Sequence, residues 1–210
     1  MLIAIPLFDR FAPLDAVGPY QVLSALPGAK IIFVAERTRG VPDSSGSLTL
    51  RADAAYADVP RPEIILVPGG FGVDDHLAPG PLQDWLLAAD QTSTWTTSVC
   101  TGALILAAAG LLTGRAATTN WQAHDHLARF GVKARNERYV FDGKYATAAG
   151  VSAGIDMALA LAARIAGDEV AQRIQLGIEY DPQPPFNAGS PETAPPSIVA
   201  EFRAASRFSR

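Results

Sequence analysis

The chain has very few residues of the types that build disulfides and metal clusters. It holds one cysteine, Cys100, and three histidines in 210 residues. A disulfide within the chain is therefore excluded, and so is a metal cluster built from thiolates alone. His124 and His126 stand two positions apart in a predicted helix, where they do not share a face, and His76 falls in a polar loop without a motif. We therefore expect no metal site.

Strong charge of one sign and long apolar runs are also missing. Charged residues make up 18% of the chain, with 17 basic and 21 acidic residues and a net charge of −4. No basic surface is indicated, so we expect no nucleic-acid partner. The apolar stretch Gly102–Leu112 is far shorter than the roughly 20 residues of a membrane span, and Met1–Phe8 lacks the basic start of a signal peptide. These features predict a cytoplasmic protein without membrane contact.

Short apolar runs alternate with helical patterns along most of the chain, which is 49% hydrophobic. The runs that are typical of buried strands are Leu2–Phe8, Lys30–Ala35, Glu63–Val67 and Thr94–Val99. Turn residues inside Val41–Arg51 and Arg138–Thr147 predict two hairpins. Strands that alternate with helices over short connections predict a mostly parallel α/β sheet with helices on both faces.

The composition changes near the end of the chain. We assign residues 1–180 to a single α/β domain. The segment Asp181–Pro196 is rich in proline and has no helical or alternating pattern. We interpret it as an ordered arm that lies over the domain or over a partner subunit. The stretch Ser197–Arg210 is predicted to form a last helix and then fray, and the whole of 181–210 is taken as part of the same domain.

The lone cysteine stands at a junction between strand and helix. The segment Thr94–Val99 is rich in β-branched residues and leads directly into Cys100, and small residues follow in a helical run. This layout is typical of a nucleophile elbow, which lifts the side chain above the carboxyl end of a strand. The alternative is a buried structural cysteine in the core. The sequence around Cys100 favours the nucleophile.

Two other segments are expected near the same edge of the sheet. Val67-Pro68-Gly69-Gly70-Phe71 follows a buried strand, and its glycine pair would let backbone N–H groups approach a ligand closely, although a plain turn is the alternative. Asp15 opens the first helix after the first strand. Its local sequence fits a helix-capping aspartate and a catalytic carboxylate equally well.

Three motifs together carry a family resemblance. They are Leu14-Asp15-Ala16-Val17-Gly18-Pro19, Val67-Pro68-Gly69-Gly70 and Ser98-Val99-Cys100-Thr101-Gly102. In this order they resemble the ThiJ/PfpI superfamily, which has the class I glutamine amidotransferase-like fold. Further segments resemble its isocyanide hydratase (isonitrile hydratase) branch, namely Ala117-Thr118-Thr119, Ala153-Gly154-Ile155-Asp156, Glu179-Tyr180 and Pro184-Pro185-Phe186-Asn187-Ala188-Gly189-Ser190-Pro191. The resemblance covers nearly the whole chain and implies a flavodoxin-like three-layer α/β/α sandwich and a homodimer.

The resemblance also implies a role for each matching residue. Cys100 would attack the terminal carbon of an isocyanide to give a covalent thioimidate, and Asp15 would be the acid and base beside the thiol. Thr101 would act through its N–H and hydroxyl, and Gly70 would supply a second backbone donor. The pocket residues would be Gly69, Phe71, Asn120, Gly150 and Val151. The resemblance implies no cofactor, and the chain has neither a P-loop nor a Gly-x-Gly-x-x-Gly after its first strand.

Two opposing effects are expected on the thiol of Cys100. A helix N-terminus and nearby N–H donors favour the thiolate, whereas an ionised Asp15 disfavours it. We therefore expect the two groups to titrate together, with the pKa of Asp15 raised so that its carboxyl can donate a proton.

Two departures from the superfamily bear on the substrate. Thr101 stands where the protease-like branch has histidine, which argues against a Cys–His protease dyad. Asn120 stands where related sequences often have histidine, which removes one candidate base. Two alternatives to a hydratase remain. One is a glyoxalase- or deglycase-like enzyme that hydrates reactive aldehydes, and the other is a non-enzymatic small-molecule or redox sensor related to transcription regulators.

Overall fold

A seven-stranded sheet forms the centre of the computed structural model, which describes residues 1–208. Numbered along the chain, its strands in spatial order are β10 (Tyr139–Asp142), β11 (Tyr145–Ala148), β7 (Trp95–Val99), β6 (Ile64–Val67), β1 (Leu2–Pro6), β2 (Lys30–Ala35) and β5 (Ala54–Ala55). Neighbouring strands are parallel except for the β10–β11 pair. Two small sheets lie outside it, β3 (Arg39–Pro42) with β4 (Thr49–Ala52) and β8 (Ala116–Ala117) with β9 (Lys133–Ala134). The predicted, mostly parallel α/β fold is confirmed.

Helices cover both faces of this sheet. They are α1 (Pro13–Leu23), α2 (Pro81–Asp90), α3 (Gly102–Ala108), α4 (His124–Arg129), α5 (Ala153–Ala166), α6 (Asp168–Gly177) and α7 (Pro196–Ala205). The crossover from β1 to β2 and the crossover from β6 to β7 run in opposite directions across the sheet. Because such crossovers are right-handed, α1 and α2 lie on opposite faces. In keeping with this, α1 packs with α5, which in turn packs with α6, whereas α2 and α4 both pack with α3.

The core lies where the apolar runs predicted it. Every residue of β6 is buried, and in β1 only the first residue is partly exposed, because helices cover both faces of these central strands. Both predicted hairpins form, as β3–β4 and β10–β11. The short strand β8 pairs with β9 outside the central sheet. The two-residue strand β5 was not predicted because it is too short to show a pattern.

The proline-rich segment packs against the rest of the chain. Residues 181–195 form neither helix nor strand, and α7 is the predicted last helix. The Nδ2 atom of Asn136 donates to Glu192 Oε1 at 2.7 Å, and the Nε2 atom of Gln122 donates to the carbonyl of Phe202 at 2.8 Å. The fraying predicted at the very end falls on residues 209 and 210, which lie outside the described residues. Within residues 1–208, no helix is long and apolar enough to cross a membrane.

Candidate active site

The backbone at Cys100 makes the sharp turn that the sequence predicts. Cys100 follows β7, has a φ angle of 56°, and precedes α3 after one further residue. A left-handed φ is unfavourable for a residue with a Cβ, so other contacts must hold this conformation. The Cys100 N–H donates to the carbonyls of Ala148 and Ala149 at 3.0 and 2.8 Å, at the end of β11. The hydroxyl of Thr119 donates to the Cys100 carbonyl at 2.8 Å.

Four neighbouring parallel strands bring the site together. Cys100 follows β7, the glycine pair follows β6, Asp15 follows β1, and Val151 follows β11. These carboxyl ends meet at one edge of the sheet, which is where open α/β sheets place their ligands. Gly102 is needed for this approach, because a Cβ there would overlap the carbonyl of Val67 and come within 2.7 Å of the carbonyl of Pro68.

Asp15 does not cap its helix. The helix α1 begins at Pro13 and its cap residue is Ala12, so Asp15 is the third residue of the helix, and it has no exposed surface. Its Oδ2 atom accepts the N–H of Gly69 at 2.9 Å. Its Oδ1 atom is buried without a hydrogen-bond partner among the described residues. The geometry therefore excludes the capping interpretation and leaves one carboxylate oxygen available to the thiol.

The thiol and the carboxyl group perturb each other's pKa. Burial raises the pKa of Asp15 from 3.8 to about 7, although the hydrogen bond from the Gly69 N–H and, to a smaller extent, the nearby Cys100 thiol lower it. Burial raises the pKa of the Cys100 thiol as well, and the negative charge of Asp15 raises it further. The N–H groups of Thr101 and Val151 act in the opposite direction and lower the thiol pKa. The expected rise in the Asp15 pKa is confirmed. The thiol pKa departs from the expectation, because burial raises it by more than the N–H donors lower it.

The glycine pair holds the two residues that flank the thiol. A Cβ on Gly69 would lie 2.6 Å from Thr101 Oγ1 and 2.9 Å from Asp15 Oδ2, so only glycine fits between these groups. Gly70 has a φ of 134°, and its N–H donates to Thr101 Oγ1 at 3.1 Å. This differs from the expectation that Gly70 offers a free N–H to the substrate. Here that N–H is already bound, and it positions Thr101.

The remaining predicted pocket residues are Val151, Asn120, Gly150 and Phe71, of which Val151 contacts the thiol. Val151 directs its N–H toward the Cys100 thiol. The Asn120 side chain accepts the Gln122 N–H at 3.0 Å and thereby caps a short 3-10 helix. Its Nδ2 atom lies 3.5 Å from the position that a Cβ on Gly150 would occupy, so these two residues are neighbours. The Phe71 residue is 61% exposed and directly follows Gly70.

Two further residues contact the site without having been assigned a role from the sequence. Thr119 belongs to a motif that carried only a family resemblance, and its hydroxyl supports the Cys100 carbonyl. Arg207 donates to the carbonyls of Gly70 and Phe71 at 3.0 and 2.8 Å. No local pattern in the sequence marks either contact. Both join residues that the fold alone brings together.

Metal-binding side chains are not gathered at this site. Within residues 1–208, no group of three or more His, Cys, Asp or Glu side chains is placed to hold a metal ion. His76 packs its ring against Phe8, with 4.9 Å between the ring centroids, and His126 packs against Phe208 at 5.1 Å. Both rings therefore pack against aromatic side chains. The chemistry that the site offers is that of a thiol, a carboxyl group and backbone donors.

Comparison with known proteins agrees with this geometry. The chain is 42% identical over 197 residues to the isonitrile hydratase of Pseudomonas putida, which covers 94% of this chain and 86% of that protein. A ThiJ/PfpI family protein from Pseudomonas syringae has a crystal structure that matches with a TM-score of 0.94 and 35% identity, over 97% of this chain and 84% of that one. Drosophila melanogaster DJ-1beta shares the fold, with a TM-score of 0.77 and 20% identity over 86% of this chain and 98% of that one. The model of the DJ-1/PfpI family matches residues 1–164. The chain therefore belongs to the DJ-1/PfpI family.

Proposed function

We propose that the protein is a cysteine-dependent isonitrile hydratase, a hydro-lyase that adds water to an isonitrile to give an N-formamide. The observation that carries this proposal is the buried pair of Cys100 and Asp15, in which the Oδ1 atom of Asp15 has no other partner among residues 1–208. An isonitrile is compact, apolar and electrophilic at its terminal carbon. It needs a soft nucleophile and one proton donor, which this pair supplies. The relative at 42% identity carries the same activity in its name.

In the first step, Asp15 accepts the thiol proton as Cys100 Sγ attacks the terminal carbon of the isonitrile. Asp15 then delivers that proton to the same carbon. One S–C bond and one C–H bond form, the S–H bond breaks, and a thioimidate results. A carboxyl group with a pKa of about 7 suits both directions of this transfer near neutral pH.

In the second step, water adds to the thioimidate carbon, with Asp15 again accepting and returning a proton. The tetrahedral adduct carries the thioether, a hydroxyl and the substrate nitrogen, which takes up a proton. Cleavage of the C–S bond releases the N-formamide, and the sulfur regains its proton. Atoms and charges balance without a cofactor or an oxidant.

The roles of the surrounding residues follow from their contacts. The N–H groups of Thr101 and Val151 lie against the sulfur and stabilise negative charge there. Gly69 orients Asp15, and Gly70 orients Thr101. Asn120 and Gly150 form the neighbouring wall of the pocket, and Phe71 forms its rim.

The proposal extends to the organisation of the protein. We propose that residues 1–180 form one domain and that residues 181–208 form an arm and a helix of the same domain. We expect the protein to act in the cytoplasm, where a lone thiol stays reduced. We also expect a homodimer, for which the proline-rich arm with its exposed Phe186 is a candidate contact.

A direct assay separates this function from its alternatives. The protein is incubated in parallel with several alkyl and aryl isonitriles and with glyoxal and methylglyoxal, and the products are followed by NMR. The proposal predicts N-formamide from isonitriles, and none with Cys100→Ala. Turnover of glyoxals without turnover of any isonitrile would support the glyoxalase-like alternative instead. Turnover of neither class would favour a sensor.

A further inference from the structure

The C-terminal segment that follows α7 reaches the loop that carries the glycine pair. The guanidinium of Arg207 donates through one nitrogen to the Phe71 carbonyl at 2.8 Å and through another to the Gly70 carbonyl at 3.0 Å. The first nitrogen also lies 3.1 Å from a carboxylate oxygen of Asp74. The guanidinium stacks over the Phe71 ring at 5.5 Å and over the Phe208 ring at 4.6 Å. These contacts hold Arg207 in one place, with only a quarter of its side chain exposed.

Arg207 binds the loop that contains Gly69 and Gly70, and the same loop positions the residues beside Cys100. The N–H of Gly70, whose carbonyl Arg207 binds, donates to Thr101 Oγ1 at 3.1 Å. The preceding N–H, that of Gly69, donates to Asp15 Oδ2 at 2.9 Å. A shift of this loop therefore moves both partners of Cys100 at once. Because one planar guanidinium binds two consecutive carbonyls, it restrains the loop more strongly than a single hydrogen bond would.

We propose that Arg207 is a positioning residue of the active site, which clamps the Gly70 and Phe71 carbonyls so that the glycine loop holds Asp15 and Thr101 against Cys100. This deepens the proposed function and rests on it wherever isonitrile turnover is the readout. The role of the C-terminal segment is thereby more than surface packing, because α7 and the residues after it carry part of the site.

The positive charge of Arg207 should affect the pH dependence of Cys100 reactivity, which can be measured without an isonitrile. The titratable groups that interact electrostatically with its guanidinium are Asp74, Asp75, Arg10 and the Cys100 thiol, and Asp15 faces the same thiol. A cation near a thiol favours the thiolate. Loss of the clamp also displaces Thr101, whose N–H lowers the pKa of the thiol. Removal of Arg207 should therefore shift the pH dependence of thiol reactivity upward, which loss of packing alone would not do.

The test compares full-length Arg207→Ala, Arg207→Lys and wild-type protein. Alkylation of Cys100 by iodoacetamide is measured against pH, and kcat and KM are measured with one alkyl isonitrile. Arg203→Ala is the matched control, because Arg203 is a cation of the same C-terminal segment whose guanidinium lies over the Trp121 ring at 6.0 Å. Thermal unfolding of each variant shows whether its fold is intact. Should Arg207→Ala not fold, Arg207→Lys carries the test.

The proposal predicts that Arg207→Ala lowers kcat about tenfold with KM almost unchanged, and raises the apparent pKa of alkylation by about half a unit. Arg207→Lys keeps the charge but cannot bridge both carbonyls, so it raises the apparent pKa of alkylation less than Arg207→Ala does and loses several-fold in kcat. Arg203→Ala should match the wild type in both measurements. An alkylation profile that does not move in a folded Arg207→Ala overturns the proposal. If the wild type turns over no isonitrile, the proposed function fails, whereas the alkylation profiles still decide the role of Arg207.

Discussion

The N–H of Gly69 donates to the Oδ2 atom of Asp15 at 2.9 Å, and this hydrogen bond decides which way the carboxyl group faces. With Oδ2 held, Oδ1 has no other partner among residues 1–208 and is left to the thiol. The same hydrogen bond stabilises the carboxylate, whereas burial destabilises it, and burial has the larger effect on the pKa. Asp15 is therefore a group that changes protonation near neutral pH in a fixed orientation.

The first prediction concerns the activity of Asp15→Asn. An asparagine can still accept the Gly69 N–H, so the site keeps its shape but loses its proton acceptor. We expect kcat for isonitrile hydration to fall by about 10²–10⁴-fold. The thiol should also alkylate at lower pH than in the wild type, because the negative charge that raises its pKa is gone. A variant with wild-type kcat would remove Asp15 from the mechanism.

The second prediction concerns the stability of the same variant. Burial raises the Asp15 pKa from 3.8 to about 7, so between these values the folded state holds a proton that the unfolded state has released. The wild type therefore loses stability as pH rises through this window, and the loss is complete above pH 7. The free energy of unfolding of Asp15→Asn should exceed that of the wild type by about 2–4 kcal/mol at pH 8. Near pH 3.5 the two proteins should have similar free energies of unfolding. Chemical denaturation at the two pH values measures the difference, and an equal effect at both would contradict the raised pKa.

The third prediction concerns the pH dependence of turnover. The pair is competent when it holds one proton in total, with the carboxyl group ionised and the thiol protonated. The value of kcat/KM should therefore rise with pH through about 7, where Asp15 ionises, and then stay level well into the alkaline range, because the thiol pKa is raised. Initial rates from pH 5 to 10 measure this profile. A fall in rate on the alkaline side near pH 8 would indicate a thiol with an ordinary pKa.

The fourth prediction concerns the space at Gly69. A Cβ there would lie 2.6 Å from Thr101 Oγ1 and 2.7 Å from Thr101 N, so Gly69→Ala must push Thr101 away from its place beside the sulfur. We expect a loss of stability of about 1–3 kcal/mol and a loss of kcat of more than tenfold. Gly177→Ala is the matched control, because a Cβ at this helical position meets no atom within 4 Å among the described residues. It should keep wild-type activity, and a Gly69→Ala variant that did the same would show that the close packing is not required.

The fifth prediction uses two adjacent threonines. Thr119 donates its hydroxyl to the Cys100 carbonyl at 2.8 Å, whereas the buried hydroxyl of Thr118 has no partner among residues 1–208. Thr119→Val should destabilise the protein by about 1–3 kcal/mol and lower kcat, because it leaves the Cys100 carbonyl at the strained turn with only the longer hydrogen bond from the Ala103 N–H, at 3.4 Å, among the described residues. Thr118→Val should be neutral or slightly stabilising, since it replaces an unpaired polar group by a methyl. Equal effects of the two substitutions on unfolding and on kcat would contradict a role for Thr119 at the elbow.

The parts of the site that the sequence predicts are those with a local pattern. The strand, Cys100 and the small residues after it are contiguous, so the turn is visible in the chain itself. The role of Asp15 is not visible, because its partner Gly69 lies 54 positions away and a helix cap would have the same local sequence. Arg207 binds a carbonyl 137 positions away, which no pattern of spacing reveals.

The pKa of the Cys100 thiol also depends on contacts between residues that are distant in the sequence. From the sequence, the N–H donors and the start of α3 favour a thiolate. In the folded protein, burial of Cys100 depends on packing from several elements distant in the chain, and it outweighs those donors. Gly70 gives a second example, because its N–H is taken by the hydroxyl of Thr101, a contact that requires β6 and β7 to be neighbours.

The most direct test of a covalent mechanism at Cys100 is the mass of the protein during turnover. The wild type is mixed with an excess of an aryl isonitrile, quenched in acid within the first turnovers, and analysed by intact-mass and peptide mass spectrometry. The mechanism predicts an adduct equal to the mass of the isonitrile on the peptide that contains Cys100, alongside N-formamide in solution. Cys100→Ala should show neither. Formamide release by Cys100→Ala at the wild-type rate would contradict it.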